Sequence, residues 1–123
     1  MFKLFTHTDL DGVGCAILAK LAYGEEVDIE FCNYDDINER VTKFYLEDSG
    51  YDKECHITDI SILEGLAHAI DDCENNFMLL DHHQTAVGLN KYSWCTVKEV
   101  DEDTGLKTCG TEMYYNWLVS QDD

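Results

Sequence analysis

The chain contains no proline, no internal repeat and no low-complexity segment, so its punctuation has to be read from its eight glycines and from polar clusters. Basic residues are scarce: eight Lys and Arg stand against twenty-six Asp and Glu, a formal net charge of −18 at pH 7. A field of that sign repels long polyanions, which argues against long duplex nucleic acid as a partner. Short phosphate-bearing molecules stay compatible with it, because bound divalent cations reverse the field locally. No apolar run approaches the roughly 20 residues needed to span a bilayer, which argues against a membrane partner. The opening MFKLFTHTDLDG lacks the basic, apolar and small-residue segments of a secretory leader. A soluble, cytoplasmic protein is the expectation. The six cysteines, at 15, 32, 55, 73, 95 and 109, never form a CxxC pair, which excludes zinc knuckles and dithiol redox motifs. They read as reduced packing residues.

What is present is a globular composition, 45% hydrophobic and 11% aromatic over 123 residues, enough for a single domain spanning 1–123 with one core. Apolar runs alternate with helical patterns. Strands are expected at 2–6, 27–32, 55–58, 77–80 and 92–100. Helices are expected at 12–22, ended by Gly24, and at 36–47, 62–72 and 110–119. The run FMLL at 77–80 is apolar throughout, as central strands of parallel sheets tend to be. Strand–helix alternation predicts a doubly wound α/β domain, with a mostly parallel sheet covered by helices on both faces.

Three of those strands run directly into acids and imidazoles. FKLFT leads into His7-Thr8-Asp9-Leu10-Asp11, CHIT into Asp59, and FMLL into Asp81-His82-His83. The carboxyl ends of parallel strands lie along one edge of the sheet, where ligand sites form, so these residues should meet. Read as extended backbone, His7, Asp9 and Asp11 share one side of the chain, roughly 6–7 Å apart. Asp59, from another strand, is the candidate for a carboxylate shared between two cations about 3.5–4 Å apart, which would also share a nucleophilic water. Hard oxygen ligands with a minority of imidazole and no sulfur favour Mn²⁺, with Mg²⁺ as the other fit. Gly12, read as the opening of the helix, would present free N–H groups to a phosphate.

HTDLDG, the Asp59 after a strand and the Asp81-His82-His83 triplet together resemble the DHH phosphoesterase superfamily. The resemblance covers the superfamily's amino-terminal domain and nearly this whole chain. FTHTDLDGVGCAILAK looks most like the short-oligoribonucleotide hydrolases (nanoRNases). It implies a two-metal, bridging-hydroxide phosphoesterase acting on short oligonucleotides or small nucleotides. His7 and Asp9 would hold one metal and Asp11 and His82 the other, with Asp59 bridging. His83 would act catalytically on the substrate phosphate, Asp81 would orient an imidazole, and Thr108 and Thr111 would contact substrate from the head of a helix.

The chain departs from that pattern in two ways. The family's further downstream aspartate has no evident counterpart: Asp103-Thr104-Gly105 reads as a turn, and Asp122 and Asp123, at the very end of the sequence where fraying is normal, are poor substitutes. The family's separate carboxy-terminal substrate-binding domain is also absent. Both motivate an alternative, a metal-binding or interaction protein that keeps the fold with weakened catalysis. A homo-oligomer whose second subunit supplies the missing ligand is a third reading. His56 and His68 belong to no motif and read as packing or surface residues. Tyr114, Tyr115 and Trp117 read as core or interface before they read as base-stacking groups.

Overall fold

A computed structural model describes residues 2–48, 54–72, 76–100 and 104–121. In chain order these form β1 (Phe2–His7), α1 (Leu10–Tyr23), β2 (Val27–Cys32), α2 (Ile37–Lys43), β3 (Glu54–Thr58), α3 (Glu64–Asp71), β4 (Phe77–Asp81), β5 (Cys95–Val97) and α4 (Gly110–Gln121). The five strands make one sheet in the order β2-β1-β3-β4-β5, with every neighbouring pair parallel. The expected doubly wound α/β fold is therefore present. The chain reverses its direction of travel across the sheet between β1 and β3, which makes the carboxyl ends of those two strands the switch-point crevice.

Strand alternation sends side chains to two separate cores. On one face Phe2, Leu4, Val27 and Leu80 pack against Cys15, Ala16 and Ala19 of α1 and Tyr114 of α4. On the other, Phe5, Ile57, Leu79 and Val97 pack against Ile37 and Val41 of α2, and against Ala67 and Ile70 of α3. Both sheet faces are thus covered, which explains why β4 carries apolar residues without a polar alternation.

Helix ends follow local chemistry. Asp9 caps α1, its Oδ1 accepting from the Gly12 N–H at 2.9 Å. Gly24, at φ +63°, closes the same helix where the sequence places its end. The cap corrects two expectations. α1 begins at Leu10, not Gly12, so Asp11 lies in a helical turn and not in an extended His7-Asp9-Asp11 series. The Gly12 N–H is taken up by Asp9 and is not free for a phosphate.

The expected helix at 36–47 is found, with its last turn, Phe44–Asp48, widened to a π-helical one. Residues 92–100 contribute only Cys95–Val97 as strand, because Gln84–Lys91 wind as a 3₁₀ helix that the sparse apolar pattern does not announce. The Asn90 side chain pairs with both backbone groups of Val97, accepting its N–H at 2.7 Å and donating to its carbonyl at 2.8 Å. Val100 and Lys107 form an isolated antiparallel bridge around the expected turn, of which residues 101–103, Asp103 included, lie outside the described set.

The buried cysteines at 15, 32, 55 and 95, and the part-exposed Cys109, carry free thiols, while Cys73 lies outside the described residues. Among the described residues, no helix is long and apolar enough to cross a membrane.

His56 is a packing histidine. Its Nδ1 lies 2.9 Å from the Tyr114 hydroxyl and its Nε2 3.0 Å from a Glu54 carboxylate oxygen. His68 is exposed, 3.7 Å from Asp72. Tyr114 is fully buried and Tyr115 is not. Truncating Tyr114 to Phe leaves a buried imidazole nitrogen without its partner. Tyr114→Phe is expected to cost about 1–3 kcal/mol in urea denaturation, and Tyr115→Phe less than about 0.5 kcal/mol.

Candidate metal centre

The three strand ends bring their polar residues into one crevice, and the backbone at Asp59 aims them. β3 stops at Thr58, and Asp59 follows at φ +64°, a left-handed conformation in which Asp is among the more tolerated non-glycine residues. Such a residue stores on the order of 1–3 kcal/mol and persists only where its surroundings hold it. Here the Asp59 N–H donates to the Leu80 carbonyl at 2.9 Å. Gly110, at the head of α4, is pressed against the carboxylate: a Cβ there would sit 2.6 Å from Asp59 Oδ1. Asp59 consequently has 0% exposure.

Around it stand two sets of ligand atoms. His7, Asp9 and Asp59 offer one set and Asp11, Asp59 and His82 another, the atoms of each lying within 4.8 Å of one another. Asp59 belongs to both. His7 Nδ1 lies 3.0 Å from Asp9 Oδ2 and 3.8 Å from Asp59 Oδ2. Neither His7 Nδ1 nor Asp59 Oδ2 has a hydrogen-bond partner, although both are buried. A buried imidazole nitrogen and a buried carboxylate oxygen left unsatisfied side by side are costly unless a cation sits between them. The donor set therefore fits a divalent metal. On the other flank, His82 Nε2 lies 2.8 Å from Asp59 Oδ1.

Asp81, His82 and His83 form a third group. Asp81 is buried, and its oxygens are already used. Oδ1 accepts from His83 Nδ1 at 2.7 Å and from the His82 N–H at 2.8 Å, while Oδ2 accepts from the Ser61 hydroxyl at 2.6 Å. These bonds fix the His83 ring and leave its Nε2 facing the Tyr34 hydroxyl at 3.2 Å. Among the described residues, none of the three groups contains an acid downstream of Asp81. Asp122 and Asp123 lie outside the described set.

The two threonines are placed differently. Thr111, in the first turn of α4, donates its hydroxyl to the Asp11 carbonyl at 2.9 Å and lies 3.3 Å from Asp11 Oδ1. It braces the turn that carries Asp11. The Thr108 hydroxyl is bonded to the Lys98 carbonyl.

Several residues escape the sequence reading. Ser61, Tyr34, Gly110 and the buried Thr6–Thr58 hydroxyl pair beneath α1 all reach the site through contacts between distant segments. Gly12 is the most constrained of the glycines. A Cβ on it would lie 1.7 Å from the His7 carbonyl oxygen, so its absence lets α1 start directly against the end of β1.

Burial, followed by the close approach of the Asp9 carboxyl and the negative charges of Asp9, Asp11 and Asp81, pushes the Asp59 carboxyl up to about 9. For Asp9, burial acts upward but is outweighed by its contacts with Asp59, the Gly12 N–H and the His7 imidazole, and the net shift is downward.

No family profile matches the chain. Over 97% of its residues it is 35% identical to oligoribonuclease NrnB of Bacillus subtilis, of which it spans 31%. It superposes on the crystal structure of an uncharacterized protein from Helicobacter pylori G27 with a TM-score of 0.76 at 17% identity. That match covers 98% of this chain and 36% of that one, and shows a shared fold. The chain thus spans about a third of the length of each of these relatives.

A carboxyl raised from its unfolded value of 3.8 to about 9 costs stability as the pH climbs, because the unfolded chain ionises freely and the folded one does not. That loss begins near pH 4 and is complete above about pH 9. Asp59→Asn tolerates the same backbone and removes the charge. In the presence of a chelator the variant is expected to gain on the order of 1–2 kcal/mol at pH 8. Scanning calorimetry should show a higher Tm than wild type, with a gap that narrows toward pH 4; an unchanged gap across that range would contradict this account.

Proposed function

This chain belongs to the DHH phosphoesterase superfamily, on the side of its short-oligoribonucleotide hydrolases, and from that premise we propose that it forms the metal-holding catalytic part of a phosphoesterase cleaving short oligonucleotides or small nucleotides. The observation that carries the reading is the position of Asp59, one buried carboxylate common to two sets of ligand atoms. In this reading His7 and Asp9 would hold one cation and Asp11 and His82 the other, with Asp59 available to both. Mn²⁺ is the favoured ion, with Mg²⁺ as the alternative. When bound, such a pair polarises the phosphoryl oxygens and lowers the pKa of water enough for in-line attack at phosphorus.

The chain's own residues do the rest. Asp81 holds the His83 ring through Nδ1 and Tyr34 meets its Nε2, which fixes the imidazole at the rim where the substrate phosphate would bind. Ser61 takes the remaining oxygen of Asp81 and keeps that carboxylate from turning. Thr111 fixes the turn bearing Asp11. The net charge of −18 opposes a long polyanion, so a crevice whose cations would locally reverse the field suits a short ligand better than a long one.

One observation favours a second reading. Among the described residues, the Asp11–Asp59–His82 set gains no carboxylate from further along the chain. A weaker second site would leave a protein that holds one ion tightly and hydrolyses slowly.

Calorimetric titration with Mn²⁺ separates the two readings, with two tight ions per chain expected for the hydrolase and one for the weakened protein. Turnover of dinucleotides in Mn²⁺ is expected for wild type, with a loss of at least about a hundredfold in Asp59→Ala. Absence of turnover on dinucleotides, 3′,5′-bisphosphate nucleotides and cyclic dinucleotides alike, with wild type equal to Asp59→Ala, would overturn the hydrolase reading.

A further inference from the structure

Beside the ligand groups lies a cavity of about 430 Å³ that shares Tyr34, Ser61, Asp81 and His83 with the site. Its inner wall is apolar, built from Ile37, Ile62 and Leu89, all of them part of the core beneath. The charged side chains that line it, apart from His83, are the carboxylates of Glu64 and Asp81, and no Lys or Arg is among the lining residues. A second phosphate is therefore a poor occupant. A flat, neutral group attached to a phosphate held at His83 is a good one.

Two side chains are already arranged for such a group. Tyr34 is 60% exposed, yet its ring is held between two imidazoles, with centroids 4.9 Å from His7 and 6.1 Å from His83. Its hydroxyl is tied to His83 Nε2. An exposed aromatic face fixed at the rim of a cavity is what a nucleobase stacks on, whatever its identity. Asn38, which also lines the cavity, accepts the Leu63 N–H through Oδ1 at 2.7 Å. That bond fixes the amide and leaves its NH₂ as a donor for a ring nitrogen or carbonyl of the base.

We propose that this cavity is a nucleoside pocket, taking the neutral base and ribose next to the phosphate bound at His83, with Tyr34 as its stacking platform. The proposal rests on the hydrolase reading for what brings a nucleotide to the crevice. It adds where the nucleotide's uncharged half sits and why recognition there tolerates different bases. Gly88 offers a direct probe. It lines the cavity, and a Cβ built on it meets nothing within 4 Å, so Gly88→Leu places an isobutyl group without a backbone clash.

The test is a ¹⁵N chemical-shift titration of the full chain in Mg²⁺ with AMP, ribose 5-phosphate and inorganic phosphate. AMP is expected to shift amides at 61–64 and 86–89 that inorganic phosphate leaves in place, and to shift them further than ribose 5-phosphate does. It should also bind about tenfold more weakly to Gly88→Leu, with inorganic phosphate affinity unaltered, and more weakly to Tyr34→Ala. Shifts from AMP confined to 7–11, 59 and 81–83, no shifts at all, or equal AMP affinity in both variants and wild type would each overturn the pocket. Hydrolysis of dinucleotides is scored separately: its absence alongside the expected shifts overturns the hydrolase reading and leaves the pocket standing.

Discussion

A carboxylate with no contact with water, set at a left-handed backbone position and ringed by three other acids, is a group that folding alone would not select. Its cost has to be carried by everything packed around it. The parallel ladder of β3 and β4 carries part, through the Asp59 N–H bond to Leu80. The missing side chain of Gly110 carries another part, since it lets α4 close over the carboxylate. Imidazoles from β1 and from the loop after β4 approach on either side. A cation bound between these groups would turn the same buried carboxylate from a liability into a ligand.

The sheet explains why these groups meet. Parallel strands deliver their carboxyl ends to one edge, and the 2-1-3-4-5 order opens the crevice between β1 and β3, where His7 and Asp59 emerge. The glycine at position 12 lets α1 leave the sheet at once, so that Asp9 and Asp11 remain within reach of Asp59. Stability and site geometry are thus set by the same contacts.

Much of this was legible in the residues. Apolar runs ending in acids marked β1, β3 and β4, and their alternation with helical patterns marked the doubly wound sheet. What was misread is instructive. In THTDLDG either aspartate could cap a helix, and the extended reading of His7, Asp9 and Asp11 ignored that Asp9 reaches the Gly12 N–H. The 3₁₀ segment after His83 has too few apolar positions to show any period. Ser61, Tyr34 and Gly110 are silent for a different reason. Each acts on a partner at least 20 residues away, Asp81, His83 and Asp59 respectively, and no local pattern encodes such a distance.

Asn90 has a consequence for how this molecule meets its neighbours. β5 is the outer strand on its side of the sheet, and an outer strand ordinarily offers a row of open backbone groups to any passing chain. By pairing with the N–H and carbonyl of Val97, the Asn90 amide stands in for the next strand, and the Cys95 N–H is already engaged by the Tyr92 carbonyl. Those three backbone groups are thereby closed to strand addition. On the opposite margin, β2 carries Asp28 and Glu30 paired with Lys3, and Glu30 with Arg40, so charged side chains border that strand as well and discourage strand addition.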